Sequence, residues 1–244
     1  MLSGHESTGI GSVPSRVRLR PAPGDAITEG VVTRGAPLAI RSIRLVGGLA
    51  LFALGLSLMI RADLGLSAWD VLHDALRSLT PLTFGQVVVV VSVVVLLAGV
   101  ALGVRPGVGT VANAVLVGLF ADAMLATPVF ADLATGPAAL RFAVMVVGVW
   151  GIALGSAFYI SARLGAGPRD GLMLGLAMRS GRSAGVARTA IEATVLVVGI
   201  ALGGSAGLGT AAFVILIGPA IDTSFRMLGM QPTRERKQRL WGRR

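Results

Sequence analysis

The chain has 244 residues, 54% of them hydrophobic and 14% charged, whereas soluble domains carry roughly 25% charged residues, so an ordinary soluble domain is excluded. The net charge is +10, but most arginines lie at the chain ends and in one loop, which is typical of cytoplasmic membrane loops and argues against a nucleic acid partner. The absence of cysteine excludes a disulfide framework, a thiolate nucleophile and a cysteine-ligated metal.

Six long apolar segments follow one another along the chain. They cover residues 45–61, 86–104, 108–126, 141–161, 186–203 and 208–226. Each approaches the roughly 20 residues that a helix needs to cross a bilayer. The sequence therefore predicts an all-α fold, a polytopic membrane helix bundle with six spans and the lipid bilayer as its partner.

The remaining segments flank or connect these spans. Residues 1–44 are polar and interrupted by Gly and Pro, which predicts a disordered basic cytoplasmic tail. Residues 127–140 are predicted to connect the third and fourth spans on the extracytoplasmic side. Residues 227–244 are predicted to form a second basic cytoplasmic tail. Both basic tails are expected to contact anionic lipid.

The chain contains an internal repeat. When the sequence is shifted by 100 positions, residues 45–125 align with 145–225 without a gap, and 26 of the 81 positions are identical. Each copy holds three spans, an odd number, so consecutive copies should enter the membrane in opposite orientations. We therefore expect two inverted three-span repeats, 45–126 and 141–226, an architecture that recurs among secondary transporters.

Charge distribution favours the same arrangement. The loop at 62–83 contains three aspartates against one arginine, whereas the equivalent loop at 162–183 contains four arginines against Asp170 alone. Basic residues accumulate on the cytoplasmic side of a membrane. The two equivalent loops are therefore predicted to lie on opposite sides, with both termini in the cytoplasm.

Each repeat contains a predicted break after its first span, followed by a short helix with a carboxylate in its first turn. The breaks fall at Gly65 and Gly165, the short helices at 68–79 and 168–180, and the carboxylates at Asp70 and Asp170. One interpretation is a broken or re-entrant membrane helix whose end lines a cavity between the repeats. The other is a short interfacial helix that the aspartate caps.

Further candidate binding residues lie within or at the ends of the spans. They are Arg188, Glu192, Asp122, Asp222 and Asn113. Arg188 and Glu192 share a helix face and have no charged counterparts in the first copy, so they mark either a solute or proton path or a structural ion pair. Asp122 and Asp222 occupy equivalent span ends and are either gate or cation-binding residues or polar helix ends. Asn113 has Phe213 as its counterpart.

Several short phrases resemble the YczE/YyaS/YitT-type family of bacterial membrane proteins. They are Ala62-Asp63-Leu64-Gly65 followed by Trp69-Asp70, the related phrase at 162–170, and the Arg105-Pro106 turn. The resemblance covers about residues 45–226 and is nearest to the short YczE-like members, because a basic tail follows the last span. It implies a multi-span protein of the bacterial plasma (inner) membrane, and it carries over no catalytic or binding residues.

The leading functional prediction is a small-solute or ion transporter that moves one repeat against the other. The alternative is a non-transporting membrane scaffold or regulatory partner, which the scarcity of charges within the spans favours. An enzyme is not expected, because the spans contain no histidine and the sequence offers no nucleophile–base pair. No cofactor and no metal are predicted, and a homo-oligomer is compatible with the sequence.

Overall fold

A computed structural model describes residues 36–129 and 131–230, which form eight α-helices and one short 3-10 helix. The α-helices are α1 (Leu38–Ala62), α2 (Ala68–Leu79), α3 (Phe84–Ala101), α4 (Val108–Leu125), α5 (Ala138–Ser161), α6 (Pro168–Ser180), α7 (Ala184–Ala201) and α8 (Leu208–Met227), and the 3-10 helix is Leu133–Thr135. The described part of the chain contains no strand.

Six of these helices are long and apolar enough to cross a membrane. They are α1, α3, α4, α5, α7 and α8, with mean hydropathies between 1.6 and 2.6 over their most apolar stretches. The predicted all-α bundle with six spans is therefore confirmed. The two remaining helices, α2 and α6, begin and end where the sequence predicts them. Each follows a break after the first span of its repeat.

The first span begins earlier than the sequence predicts. Residues 38–44 are helical and belong to α1, so assigning them to a disordered tail is wrong. The helix starts directly after Pro37, and Arg41 in its first turns donates from Nε to the carbonyl of Ala162 at 2.9 Å. The rest of the predicted N-terminal tail, residues 1–35, and the basic tail from 231 onward lie outside the described residues.

The equivalent first spans of the two repeats, α1 and α5, form the centre of the bundle and run antiparallel. Arg41 near the start of α1 contacts the end of α5, and Arg141 near the start of α5 donates from Nε to the carbonyl of Ala62 at 2.9 Å. Glycines allow the two helices to touch, since a Cβ added at Gly55 would lie 2.4 Å from the carbonyl oxygen of Gly148. Small residues at such crossings allow close backbone packing in lipid.

The breaks after α1 and α5 are held by the opposite repeat. The carbonyl of Leu64 accepts a hydrogen bond from the Gly209 amide at 2.6 Å, and the carbonyl of Leu164 accepts one from the Gly109 amide at 2.7 Å. Each break therefore docks onto the start of the last span in the other copy. This exchange of equivalent contacts indicates a two-fold relation between the repeats.

The glycines at the two breaks meet two separate requirements of this docking. Gly65 and Gly165 have φ angles of +122° and +137°, which side chains rarely adopt. A Cβ at Gly65 would also lie 2.7 Å from the Thr210 hydroxyl, and one at Gly165 would lie 2.6 Å from the Thr110 hydroxyl. Both positions therefore need glycine for conformation and for space.

The two repeats differ in how their second and third spans pack. In the first repeat α3 lies along α4, and a Cβ added at Gly85 would lie 2.1 Å from the carbonyl oxygen of Gly118. In the second repeat α7 and α8 share no comparable interface, and a Cβ at Gly218 would meet nothing within 4 Å. The same glycines thus occur in both copies, but one helix pair is closed and the other is apart.

Candidate functional site

A cavity of about 220 Å³ lies where the two short helices begin. Its wall includes residues 67–70, at the start of α2, and residues 167–170, at the start of α6. The breaks predicted from sequence therefore meet at one site, and the broken helices line it. This arrangement favours the first of the two interpretations of the short helices.

Much of the remaining wall comes from equivalent positions in the two copies. These pairs are Phe52 and Ile152, Val88 and Arg188, Ser92 and Glu192, Asn113 and Phe213, and Val117 and Ile217. The cavity therefore lies between the two repeats and is lined by equivalent positions of both. The members of three of these five pairs differ in polarity or charge, so the two halves of the wall are chemically unequal.

Asp70 is buried and is held by a network that crosses between the repeats. Its carboxylate contacts the Ser67 hydroxyl and accepts a hydrogen bond from Nδ1 of His73 at 3.1 Å. The Arg169 guanidinium of the other repeat lies 4.0 Å from the same carboxylate and 4.8 Å from the centre of the Trp69 ring. Trp69 and Arg169 are equivalent positions, so the repeats contact each other here through a cation–π pair.

The ionisation of this network follows from its burial and its charges. Burial opposes ionisation of Asp70, but its hydrogen bonds and the charge of Arg169 outweigh that effect and hold its pKa below the ordinary value. Burial lowers the pKa of His73, and the hydrogen bond to Asp70 only partly offsets this. Asp70 is therefore a carboxylate and His73 a neutral imidazole that donates to it.

Asp170 lies in a different environment from its counterpart. Among the residues that the structure describes, no cation lies within salt-bridge distance of it. The Tyr159 hydroxyl, an Asp170 oxygen and the Asn113 amide nitrogen surround Gly167, at 3.3, 3.4 and 3.8 Å from where its Cβ would lie. Burial raises the pKa of Asp170, and the charge of Arg188 and the Gly167 backbone counteract this in part.

Arg188 and Glu192 pair with each other on the wall formed by α7. The Nε of Arg188 lies 2.9 Å from a Glu192 carboxylate oxygen, and both residues line the cavity. Their side chains are 55% and 43% exposed, so this part of the wall is not covered by other helices of the chain. The predicted pair therefore exists, and it lies at the site.

The structure brings together five of the nine candidate binding residues and leaves four elsewhere. Asp70, Asp170, Arg188, Glu192 and Asn113 line the cavity, whereas Gly65, Gly165, Asp122 and Asp222 are absent from its wall. The two glycines shape the breaks behind it. Asp122 instead caps α3, accepting from the Gly85 amide at 2.7 Å and from the Thr83 hydroxyl.

Three residues that sequence reasoning missed also contribute to the site. They are Trp69, Arg169 and Tyr159. The sequence could have indicated Trp69 and Arg169, because they immediately precede Asp70 and Asp170 in the repeated phrase. Tyr159 is the only tyrosine in the chain, and it lies at the end of a span where nothing in the local pattern distinguished it.

The fold and the site together define a class of protein. The chain is a polytopic helical membrane protein whose two related halves enclose a small charged cavity. Within the described residues, no group of three or more His, Cys, Asp or Glu side chains could hold a metal ion. The side chains at the site can bind charge and donate or accept hydrogen bonds.

Comparison with known proteins assigns the family. Residues 39–226 match a family described as being of unknown function, DUF6198, and the chain belongs to it. The chain is 33% identical to the uncharacterized membrane protein YczE of Bacillus subtilis over 74% of its own length and 83% of that protein. It is 32% identical to an uncharacterized protein of Haemophilus influenzae over 77% of its own length and 84% of that protein. No solved structure matches the chain. The resemblance to YczE-like proteins is confirmed.

Proposed function

We propose that the protein is a small-solute transporter of the inverted-repeat type in the bacterial plasma membrane, with both termini in the cytoplasm. The observation that carries this proposal is the charged cavity at the junction of two broken helices, one from each repeat. Transporters of this type bind their substrate where broken helices of two repeats meet.

The antiparallel contact of α1 and α5 supports opposite membrane orientation of the repeats. These helices are equivalent in sequence, and the start of each contacts the end of the other. If both cross the bilayer, they cross it in opposite directions. The acidic loop at 62–83 and the basic loop at 162–183 then lie on opposite sides, as the distribution of basic residues requires.

The unequal packing of the two repeats supports alternating access. We infer that one side of the cavity is closed by α3 and α4, which Asp122 joins through Thr83 and Gly85. The cavity is accessible beside α7 and α8, whose equivalent residues are present but apart. These residues are Ser183, Gly185, Gly218 and Asp222. Exchange of the two packings between the repeats would close the accessible side and open the other, so the cavity would face each side of the membrane in turn.

The first test of this proposal is the orientation of the repeats. Thr80 and Ser180 are equivalent exposed residues whose hydroxyls form only local hydrogen bonds, donating to the carbonyls of Leu76 and Leu176, with Ser180 also accepting from the Arg182 amide. We expect Thr80→Cys to react with a membrane-impermeant thiol reagent in intact cells, and Ser180→Cys only after lysis. Labelling of both from the same side contradicts the inverted arrangement.

The second test is the accessibility of the cavity. Ile217 lines it, and the chain contains no native cysteine, so Ile217→Cys provides a single reporter thiol. A transporter predicts labelling by an impermeant reagent from both sides, measured in right-side-out and in inside-out vesicles. Labelling from one side alone indicates a fixed cavity, which is the result that a scaffold or regulatory partner predicts.

A further inference from the structure

We propose that the cavity binds a small organic cation, with Asp170 as its counter-ion. This inference deepens the proposed transport function by naming a substrate class, and it rests on that function only for the statement that the cation is carried across the membrane. Binding itself is argued from the charges, the free polar groups and the apolar wall of the cavity.

Among the charged side chains of the cavity wall, one carboxylate has no ion pair. Three carboxylates and two guanidiniums line it. Glu192 pairs with Arg188 at 2.9 Å, and Asp70 lies 4.0 Å from Arg169 and also bonds His73. Asp170 has no ion pair among the described residues, so with all three carboxyls ionised the three negative and two positive side chains of the wall leave one negative charge uncompensated. A monovalent cation would compensate it.

Three polar side chains on the cavity wall have no hydrogen-bond partner among the described residues. Tyr159 is 8% exposed and Ser92 is 7% exposed, and both line the cavity. In the described part of the chain, neither hydroxyl forms a hydrogen bond within the protein, and the Asn113 amide also forms none. Because buried polar groups are normally hydrogen-bonded, these groups are available to a ligand.

The rest of the wall selects an organic cation over a hydrated metal ion. Phe52, Val88, Val117, Ile152, Ile217 and Phe213 contribute apolar surface. An ion with a full hydration shell would gain nothing from these side chains, whereas the alkyl groups of an ammonium compound would be removed from water. Aromatic faces near a carboxylate are the usual surroundings of bound ammonium groups.

An anionic ligand fits this site less well. Arg188 and Arg169 are already engaged by carboxylates, and the side of Arg169 that faces Trp69 is covered by its ring. The positive ends of α2 and α6 also each have a carboxylate in the first turn. On the described cavity wall, each guanidinium therefore already has a carboxylate close to it.

The binding test compares two compounds of the same shape and different charge. Choline carries a quaternary ammonium group, and 3,3-dimethyl-1-butanol carries an uncharged carbon in its place. We expect choline to bind the purified full-length protein about tenfold or more tightly than the alcohol, measured by calorimetry and by thermal shift. Equal binding of the two compounds, or binding of neither, overturns the proposal.

The variants assign the effect to Asp170. Asp170→Asn should weaken choline binding about tenfold and leave binding of the alcohol unchanged. The matched control is Asp132→Asn, which removes the same charge from an exposed loop residue outside the cavity and should bind choline like the wild type. Unchanged choline binding by a folded Asp170→Asn protein overturns the proposal.

A second measurement leaves Asp170 in place and so does not depend on the stability of its variant. Met173 lines the cavity one helical turn after Asp170, and Met173→Cys places a thiol there. We expect a cationic methanethiosulfonate to react about tenfold faster than an anionic one of similar size, after normalisation to the exposed Thr80→Cys thiol. An equal or reversed ratio contradicts the proposal.

Failure of the cation site can be told apart from failure of the transport proposal. If choline binds through Asp170 but Ile217→Cys is labelled from one side alone, the cation site stands and transport is refuted. If the cavity is accessible from both sides and choline fails to bind in preference to the alcohol, transport stands and the substrate class is refuted.

Discussion

Asp122 is expected to hold the first repeat in its closed packing, and Asp122→Asn tests this directly. One carboxylate oxygen accepts a hydrogen bond from the Gly85 amide at 2.7 Å, and the other contacts the Thr83 hydroxyl. Both bonds join α4 to the start of α3, at the place where Gly85 lies against Gly118. The substitution keeps the shape of the side chain and removes its charge.

The size of the effect follows from the two hydrogen bonds. A hydrogen bond to a charged group contributes about 1.5–3 kcal/mol, and a neutral one about 0.5–1.5 kcal/mol. Asparagine keeps one acceptor oxygen and replaces the other with a donor, so we expect the closed packing to lose about 1.5 kcal/mol, towards the lower end because Thr83 is exposed. A loss of about 1.4 kcal/mol corresponds to a tenfold change in the equilibrium constant between the closed and the open packing.

The assay is the labelling rate of Ile217→Cys from the side closed by α3 and α4. Asp122→Asn should raise that rate about tenfold. The matched control is Asp222→Asn at the equivalent position, which should not raise it, because the residues equivalent to Thr83 and Gly85 are apart from Asp222 in this structure. If Asp122→Asn is folded and its rate matches that of the control, the carboxylate does not hold the gate and our reasoning is refuted.

Three further substitutions test other parts of the fold. Gly55→Leu should abolish folding, because even its Cβ would lie 2.4 Å from a backbone oxygen, whereas Gly47→Ala, with nothing within 4 Å, should fold like the wild type in size-exclusion chromatography. Pro219→Leu, which introduces the residue type found at the equivalent position of α4, should straighten α8 and lower the labelling of Ile217→Cys from the α7–α8 side several-fold. Arg169→Gln removes both the cation over Trp69 and the charge 4.0 Å from the buried Asp70 carboxylate, so it should destabilise the protein by at least about 1 kcal/mol, read as a lower melting temperature in detergent.

The helices and the breaks could be predicted because they depend on local chemistry. Apolar runs define the spans, and Ser67 and Pro168 are residues that begin helices, so α2 and α6 start where the sequence indicates. The early start of α1 was missed because it depends on Arg41, whose partner carbonyls lie about 120 residues away in the sequence. Such long-range contacts leave no local pattern.

The candidate site was predictable in part for the same reason. Repetition identified Asp70 and Asp170, and broken symmetry identified Arg188 and Glu192. These four residues meet around one cavity because each break docks onto the opposite repeat. The sequence does not show this docking. The difference between the closed helix pair α3–α4 and the separated pair α7–α8 could not be predicted at all, since the two helix pairs contain glycines and an aspartate at the same equivalent positions.

The exchanged hydrogen bonds at Leu64 and Leu164 have a consequence for biosynthesis. The break in the first copy finds its partner only at Gly209, at the start of the last span. During translation the glycine face of α1 gains its partner when α5 is made, whereas the Leu64 carbonyl has none until the start of α8 is made. The N-terminal half therefore cannot reach its final conformation before the last helix has entered the membrane, so a chain truncated before residue 208 should be degraded rather than accumulate.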